Sequence, residues 1–440
     1  MNINFLDLIT KKRDGQSLAP DEINYMVLEY NKGFIPDYQM AAMLMSIYFQ
    51  GLNNKETNAL TAALAASGET LDFSSIDKIV VDKHSSGGVG DKVTLVLAPL
   101  VAAAGVPVAK VSGRGLGFSG GTIDKLESIP GFSAAITTDH FVELVRENNL
   151  AIMMQTESIT PADGKLYALR DVTGTVENVS LIAASIMSKK IAGGAGAILL
   201  DVKTGRGAFM QSRDEAFHLA EIMVRIGKDM GRRIVSVVTD MNQPLGYAVG
   251  NALEVKEAIA VLQGKGPADV QRLCMVLGGY LLALSGRVRN PEEGQEQLMR
   301  LLESGAGLEK FRQMVISQGG RPECLDDLTL LPQATFTEEV RASKSGYIRE
   351  MDARIVGKVA LSLGTGRSYK GEEIDPAAGV VLKFKIGDWV RENDSLACIY
   401  HDKESVRDHA CRELLNAFTI SDEKVEPDPI IHGVVPPFPS

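Results

Sequence analysis

Three clusters in the sequence combine residue types that do chemistry together. The first is Lys83-His84-Ser85-Ser86-Gly87-Gly88-Val89-Gly90-Asp91, which sets an ammonium, an imidazole and two hydroxyls among three glycines. It follows the apolar run Ile79-Val80-Val81 and precedes a helix expected to begin near Thr94. Glycines let backbone N–H groups turn toward an anion at the positively polarised start of a helix, and Lys83 and the serines add charge and donors. Phosphate binding is the chemistry implied. The string is not a Walker loop, because Asp91 stands before Lys92 where that motif needs glycine. A plain strand-to-helix turn with solvated polar residues is the alternative, and it requires neither the lysine nor the histidine.

The second cluster runs Lys110-Val111-Ser112-Gly113-Arg114-Gly115-Leu116-Gly117-Phe118-Ser119-Gly120-Gly121-Thr122. Its glycines at 115, 117 and 120 fit the spacing of a dinucleotide-binding loop. Such a unit also wants an acidic residue closing a strand about 20 residues further on, and Asp139 to Asn148 reads instead as an amphipathic helix. Ser112 and Thr122 then bracket a loop suited to the second side of the same anion, since two strand-end loops face one ligand at the carboxyl edge of a parallel sheet.

Arg170, Ser185 and Lys189 make the third cluster. Ser185 and Lys189 lie four apart, so one helix face presents a hydroxyl and an ammonium together. A planar ring bearing carbonyls suits them, with Arg170 adding a fork of donors. Taken singly, each is an ordinary surface or ion-pair residue. The functional reading therefore requires Ser112, Lys83 and Arg170 to face one cavity.

These residues must be held by elements, and the pattern predicts an α/β protein with three parts. Residues 1–70 read as short helices: Phe5, Leu8 and Ile9 recur at helical spacing, Pro20 and Pro36 sit where first turns tolerate proline, and Asn53 with Glu56 forms a capping pattern. Residues 71–160 and 193–334 form a larger α/β lobe with a mixed, mainly parallel sheet, its strands near 79–81, 106–111, 197–202 and 234–238. Residues 161–192 read as helical and belong with the first seventy, giving a discontinuous all-α lobe and a cleft between lobes. Residues 335–440 suggest a small β-rich α+β domain, somewhat like a barrel-sandwich carrier module. No lysine sits in an attachment turn there, so its expected role is structural.

Composition narrows the partners. The 440 residues carry a formal net charge of -10, which argues against a general nucleic-acid binder. Four cysteines at 274, 324, 398 and 411 fit neither a zinc clamp nor a disulfide framework, and a reducing cytoplasm is expected. Met1 to Thr10 does not read as a secretory signal, and the apolar stretch 94–108 is broken by Pro99, Gly105 and Pro107, so no membrane span is expected.

With these residues in view, the chain resembles the thymidine and pyrimidine-nucleoside phosphorylases along nearly its whole length. The resemblance is carried by Lys83-His84-Ser85, Ser112-Gly113-Arg114-Gly115 with Gly120-Gly121-Thr122-Ile123-Asp124-Lys125-Leu126-Glu127, Tyr167 to Asp171, Ser185 to Lys190, Asp201 to Gly205 and Asp240 to Gln243. It implies a homodimer whose two lobes close over a pyrimidine nucleoside and inorganic phosphate, with no organic cofactor. Lys83, Ser85, Thr94, Ser112 and Thr122 would bind phosphate, and Arg170, Ser185 and Lys189 the pyrimidine. Lys110 would join them at the phosphate, and it looks like the lysine of the branch that accepts uridine and deoxyuridine as well as thymidine. His84, Arg170 and Lys189 would be catalytic.

Two departures stand out. Family members commonly place histidine and threonine where this chain has Phe118 and Ser119. Lys92 stands where related enzymes carry a threonine of a monovalent-cation site, whose other ligands would correspond to Gly90, Leu245, Ala248 and Glu257. The expectation is that the Lys92 ammonium replaces a potassium ion and pairs with Glu257. Competing readings are a thymidine-restricted phosphorylase, an anthranilate-type phosphoribosyltransferase, for which no Asp-Glu doublet stands near the loops to hold magnesium, and a non-catalytic nucleoside-binding paralogue.

Overall fold

The computed structural model describes residues 3–436 apart from 116, 119, 368, 370 and 403. The helices α1 (Phe5–Arg13), α2 (Pro20–Asn31), α3 (Asp37–Gln50) and α4 (Asn54–Ala65) come first. Local chemistry starts them. Asn4 accepts from Leu6 N, and Pro20 occupies a first turn. Asn53 accepts from Glu56 N at 3.0 Å while Glu56 accepts from Asn53 N at 2.8 Å. Glu56 also takes Lys12 Nζ at 2.8 Å and Leu18 N at 2.9 Å, so one buried carboxylate ties α4 to α1 and its following turn.

The chain then runs through β1 (Val81–Ser85), α5 (Val93–Ala103), β2 (Val108–Ser112), α6 (Thr122–Leu126), α7 (Thr138–Asn148) and β3 (Leu150–Met154). Next come α8 (Pro161–Thr173) and α9 (Val179–Ala192). Their Ala162, Leu166, Leu181 and Ala184 share a core with Met26, Leu44 and Leu60, so the helical lobe draws on two separate stretches of sequence. The larger lobe resumes with β4 (Ala197–Thr204), α10 (Arg213–Asp229), β5 (Arg233–Asp240), β6 (Ala248–Val249), α11 (Asn251–Leu262), α12 (Ala268–Leu284), α13 (Pro291–Glu303) and α14 (Ala306–Ser317). A smaller part follows: β7 (Phe336–Arg341), β8 (Gly346–Met351), α15 (Ala353–Ser362), β9 (Gly379–Leu382), β10 (Trp389–Val390), β11 (Ser395–His401), α16 (Arg407–Leu415), β12 (Phe418–Ser421) and β13 (Ile431–Val435).

The central sheet has the order β13-β5-β4-β1-β2-β3. From β5 to β3 its pairs are parallel, and β13 joins antiparallel. Parallel strands buried on both faces read as apolar runs, and β4 is buried at every position. The order makes β1 and β2 neighbours, so the loops leaving their carboxyl ends face each other.

Several expectations need correcting. β3 is absent from the sequence reading, because Leu150-Ala151-Ile152-Met153-Met154 is too short and too uniformly apolar to show a period. Lys83, His84 and Ser85 lie inside β1, pairing with Leu199, Leu200 and Asp201 of β4, and not in a loop beyond it. The stretch 335–440 is not one separate unit. Its β13 leaves to pair Val434 with Val237 of β5, covering an otherwise open edge. Conversely, β6 belongs by pairing to the four-stranded sheet β6-β9-β11-β7, with Ala248 opposite Val381. The small domain, whose second sheet is β10-β8-β12, is thus stitched to the α/β lobe at two places.

Candidate active site

Beneath the first glycine loop lies a buried network of opposite charges. Lys83 Nζ is 3.0 Å from Asp201 Oδ2 and 3.7 Å from Asp91 Oδ2, and Lys203 Nζ reaches Asp201 Oδ2 at 2.9 Å. Thr239 donates to Asp201 at 2.7 Å. Burial works against the Lys83 charge, but Asp91 and Asp201 outweigh it and hold the ammonium above its usual pKa. Burial would also raise Asp91, yet Lys203, Lys83 and Lys125 keep its carboxyl far below the usual range. Asp91 fixes Ser85, whose Oγ donates to it at 2.5 Å, and Ser85 Oγ accepts from Gly87 N at 3.2 Å. The turn into α5 is therefore set by an ionised carboxylate rather than by glycine alone.

Above this network opens a cavity of about 720 Å³, a size suited to a small-molecule ligand. The structure brings His84, Ser85, Thr94, Lys110, Ser112 and Thr122 together on its α/β side, and Ser185 and Lys189 on its helical side. Ser185 Oγ donates to Asp163 Oδ2 at 3.0 Å, and the same oxygen pairs with Lys189 Nζ. Lys189 Nζ also lies 3.0 Å from Ser185 Oγ. The hydroxyl and ammonium expected on one face of α9 are thus aligned by a carboxylate from α8.

Between the two walls sits a second charged group. Asp82 Oδ2 accepts from Lys190 Nζ at 2.6 Å, and its Oδ1 lies 3.8 Å from Lys110 Nζ. Because Lys190 takes the closer oxygen, Lys110 is poorly compensated: burial, then repulsion from Lys190, lowers its pKa to about 7. His84 is also affected. Burial first, then Lys190, Lys110, Lys83 and Lys189, push its pKa well below the imidazole value, so the ring is neutral at physiological pH. Its buried Nε2 has no hydrogen-bond partner among the described residues. A neutral imidazole can still offer a hydrogen bond to a ligand in the cavity.

Two predicted residues stand elsewhere. Lys83 lies behind the cavity wall, engaged by its carboxylates. Arg170 does not face the cavity: its guanidinium donates to Thr175 O at 3.3 Å, Leu181 O at 3.3 Å and Val176 O at 2.7 Å. Two of those carbonyls belong to the turn between α8 and α9 and the third to the first turn of α9, so Arg170 ties the two helices together. The requirement that Ser112, Lys83 and Arg170 face one cavity therefore fails for two of the three, and Ser185 with Lys189 remain as the groups opposite Ser112.

Lys92 is fully buried beside the first loop. Its Nζ is 2.6 Å from Glu257 Oε2 and donates to Leu245 O at 2.6 Å and Ala248 O at 3.0 Å, while its backbone N donates to Gly90 O at 2.9 Å. Burial opposes the charge, but Glu257 and Glu254 raise the pKa above its usual value. Gly90, at φ 73°, approaches so closely that a Cβ there would lie 2.6 Å from Leu245 O. Phe118 lines the cavity and packs under the Arg354 guanidinium, 5.7 Å from its ring centroid. Ser119 lies outside the described residues.

Asp163 and Asp82 escaped the sequence reading, as did Lys190 as a cavity residue. A signal existed for the first: Asp163, Tyr167 and Arg170 recur at helical spacing on α8, and Asp163 and Tyr167 both line the cavity. Asp82 had none, because its partners come from β2 and α9.

Known proteins share both the sequence and the frame. Residues 77–308 match the model for the glycosyl transferase family a/b domain, 6–68 that for the helical bundle domain of the same family, and 347–421 that for the pyrimidine nucleoside phosphorylase C-terminal domain. The chain is 51% identical to a pyrimidine-nucleoside phosphorylase of Geobacillus stearothermophilus, over 98% of this chain and 100% of that one. A pyrimidine-nucleoside phosphorylase of Staphylococcus aureus strain USA300 is 50% identical over the same shares. Among solved structures, an anthranilate phosphoribosyltransferase from Thermus thermophilus superposes with a TM-score of 0.58 at 18% identity, covering 71% of this chain and 99% of that one, a likeness of fold alone.

The Lys110 environment makes a measurable demand. Its ammonium carries a proton below about pH 7 and is neutral above it. An unfolded lysine holds its proton to about pH 10, so between these values folding releases a proton and stability gained from this group rises with pH. Carbon-detected NMR of lysine side chains should show one resonance titrating near neutrality and missing from Lys110→Met. Uniform titration in the normal alkaline range would contradict the geometry.

Proposed function

The chain belongs to the pyrimidine-nucleoside phosphorylase family, and on that premise we propose that it transfers the pentose of a pyrimidine nucleoside to inorganic phosphate, releasing the free base and a pentose 1-phosphate. The observation that carries the reading is the shared cavity, with hydroxyls and loop N–H groups of β1 and β2 on one wall and the Ser185–Lys189 pair on the other. Ser85, Thr94, Ser112 and Thr122 hold phosphate, with the first turn of α5 adding a favourable dipole. Lys83 acts from behind the loop.

Phosphate oxygen attacks the anomeric carbon as the bond to the base nitrogen breaks, and the electron pair leaves with the base. Lys189 and Ser185 stabilise the negative charge spreading over the pyrimidine carbonyls, and neutral His84 adds a hydrogen bond. Protonation of the departing nitrogen balances the proton released as the phosphate monoanion becomes a sugar ester. Lys110, at the junction of the walls, faces the sugar, and acceptance of ribose as well as deoxyribose is the specificity we assign: uridine, thymidine and deoxyuridine. Arg170 supports the base site by holding the turn that carries α9.

Incubating uridine with the protein should change its ultraviolet absorbance only when phosphate is present. Lys189→Ala should lower kcat by about 100- to 1000-fold. Turnover that needs no phosphate, or that needs pyrophosphate and magnesium, would overturn the assignment in favour of another pentosyl transfer on the same fold.

We assign the Lys92 ammonium the place of a monovalent cation, because three protein oxygens surround it within 3.0 Å. Potassium added to a cation-free preparation should leave the rate unchanged, and a several-fold rise would refute the substitution.

A homodimer through the helical lobe is the assembly we favour. Tyr38, Met45 and Phe49 lie on one face of α3, and together with Leu6 of α1 and Val172 of α8 they leave an apolar surface in water. Light scattering should give twice the mass of the chain, falling to one copy in Tyr38→Glu/Phe49→Glu; a wild-type monomer would exclude the dimer. The cytoplasm is the compartment we assign, since Cys274, Cys324, Cys398 and Cys411 are free thiols.

A further inference from the structure

We propose that Arg367, carried by the small C-terminal domain, positions the second glycine loop for phosphate, which makes that domain part of the framework of the anion site. The inference rests on the assignment of that loop to phosphate. Its centre is Asp124, buried in the first turn of α6 at 3% exposure. One carboxylate oxygen, Oδ2, accepts from Gly115 N at 2.7 Å. The other, Oδ1, accepts from Arg114 Nη1 at 3.1 Å and from Arg367 Nη1 at 2.9 Å.

Asp124 does two things for the loop. Through Gly115 it ties the loop's entry to its exit, and the two strands of the neck already touch: a Cβ on Gly121 would lie 2.1 Å from Gly115 N. A shift of Asp124 therefore moves the whole span between Ser112 and Thr122. It also brings a negative charge to a loop assigned to an anion, and that charge must be neutralised. Arg114 is divided, since its Nη1 also reaches Glu127 Oε2 at 2.6 Å, and its side chain is 37% exposed. Arg367 is 20% exposed, the less solvated of the two guanidiniums.

The rest of the C-terminal domain supports this placement. A Cβ on Gly366 would lie 3.2 Å from Gly117 O, and one on Gly357 would lie 2.8 Å from Phe118 O, so the domain abuts the loop's outer side. The segment bearing Arg367 is braced in turn: Asn251 of α11 donates to Thr365 O at 2.9 Å, and Asp375 N donates to Gly364 O at 2.8 Å. Pairing of β6 with β9 and of β13 with β5 fixes the domain to the lobe that carries the loop. Arg367 is a positioning residue, since it acts through Asp124.

The test uses the full chain with Arg367→Met and Arg367→Lys, measuring initial rates against phosphate and uridine separately, together with the thermal midpoint. Loss of one charge-assisted hydrogen bond should raise KM for phosphate about ten-fold. KM for uridine and kcat should stay as in the wild type, the thermal midpoint should fall only modestly because Arg114 still pairs with Asp124, and Arg367→Lys should recover part of the phosphate affinity. An unchanged phosphate KM in Arg367→Met overturns the proposal, as does an equal rise in both KM values with a lowered thermal midpoint. If Arg367→Met does not fold, Arg367→Lys decides by the same split between the two KM values. Failure of the phosphate assignment itself would show differently, as wild-type turnover that does not depend on phosphate.

Discussion

Burying ammonium groups is the constraint on which the structure turns. Lys83, Lys92, Lys110, Lys125, Lys190 and Lys203 are all withdrawn from water around the two glycine loops. An isolated buried charge costs several kcal/mol, so each needs a carboxylate, and most of those carboxylates stay off the cavity wall, with Asp91 an exception that lines it. The solution is to place them underneath: Asp201 serves Lys83 and Lys203, Glu254 serves Lys125, Glu257 serves Lys92 and Asp82 serves Lys190. Lys110 is left with the far oxygen of Asp82 and is the group whose charge wavers near neutrality. Local positive potential in a chain with a net charge of -10 is thus made by geometry, not by composition.

How much of this was legible depended on how locally each feature is encoded. The glycine loops, the Asn53–Glu56 cap and the Ser185–Lys189 face depend on residues a few positions apart, and spacing alone exposes them. Arg170 shows that nearness along the chain is not enough: its guanidinium turns to the carbonyls of residues 175, 176 and 181, a direction that spacing alone does not reveal. Asp82 and Asp124 each act on partners from two other segments, and no short window of sequence contains them together. β3 was hidden by the absence of alternation, and β13 by its distance from the strand it joins. The contacts of the Lys92 ammonium with Glu257, Leu245 and Ala248 were visible only through family resemblance, since these residues are far apart in sequence.

The likeness to an anthranilate phosphoribosyltransferase shows what the architecture alone decides. A helical lobe set against a parallel sheet supplies a cleft and strand-end loops, and both folds have them at 18% identity. The side chains this chain places on that frame are hydroxyls around the two glycine loops, a carboxylate-aligned serine and lysine on α9, and buried lysines beneath the loops. The small domain backs one wall of this cleft from outside. Through Arg354 and Arg367 it reaches Phe118 and Asp124, so the loop between β2 and α6 is enclosed from the rear as well as from the sides.

The pairing of β13 with β5 bears on the route by which the molecule reaches its final form. Contacts so distant along the polypeptide form late, because the intervening residues must collapse before the ends can meet. Until then β5 keeps a bare edge that invites another chain. Closing it fastens the tail of the small domain to the central sheet, while the segment that carries Arg367 is held by the β6–β9 pairing and by Asn251, so the sheet edge and the loop support are secured by separate contacts.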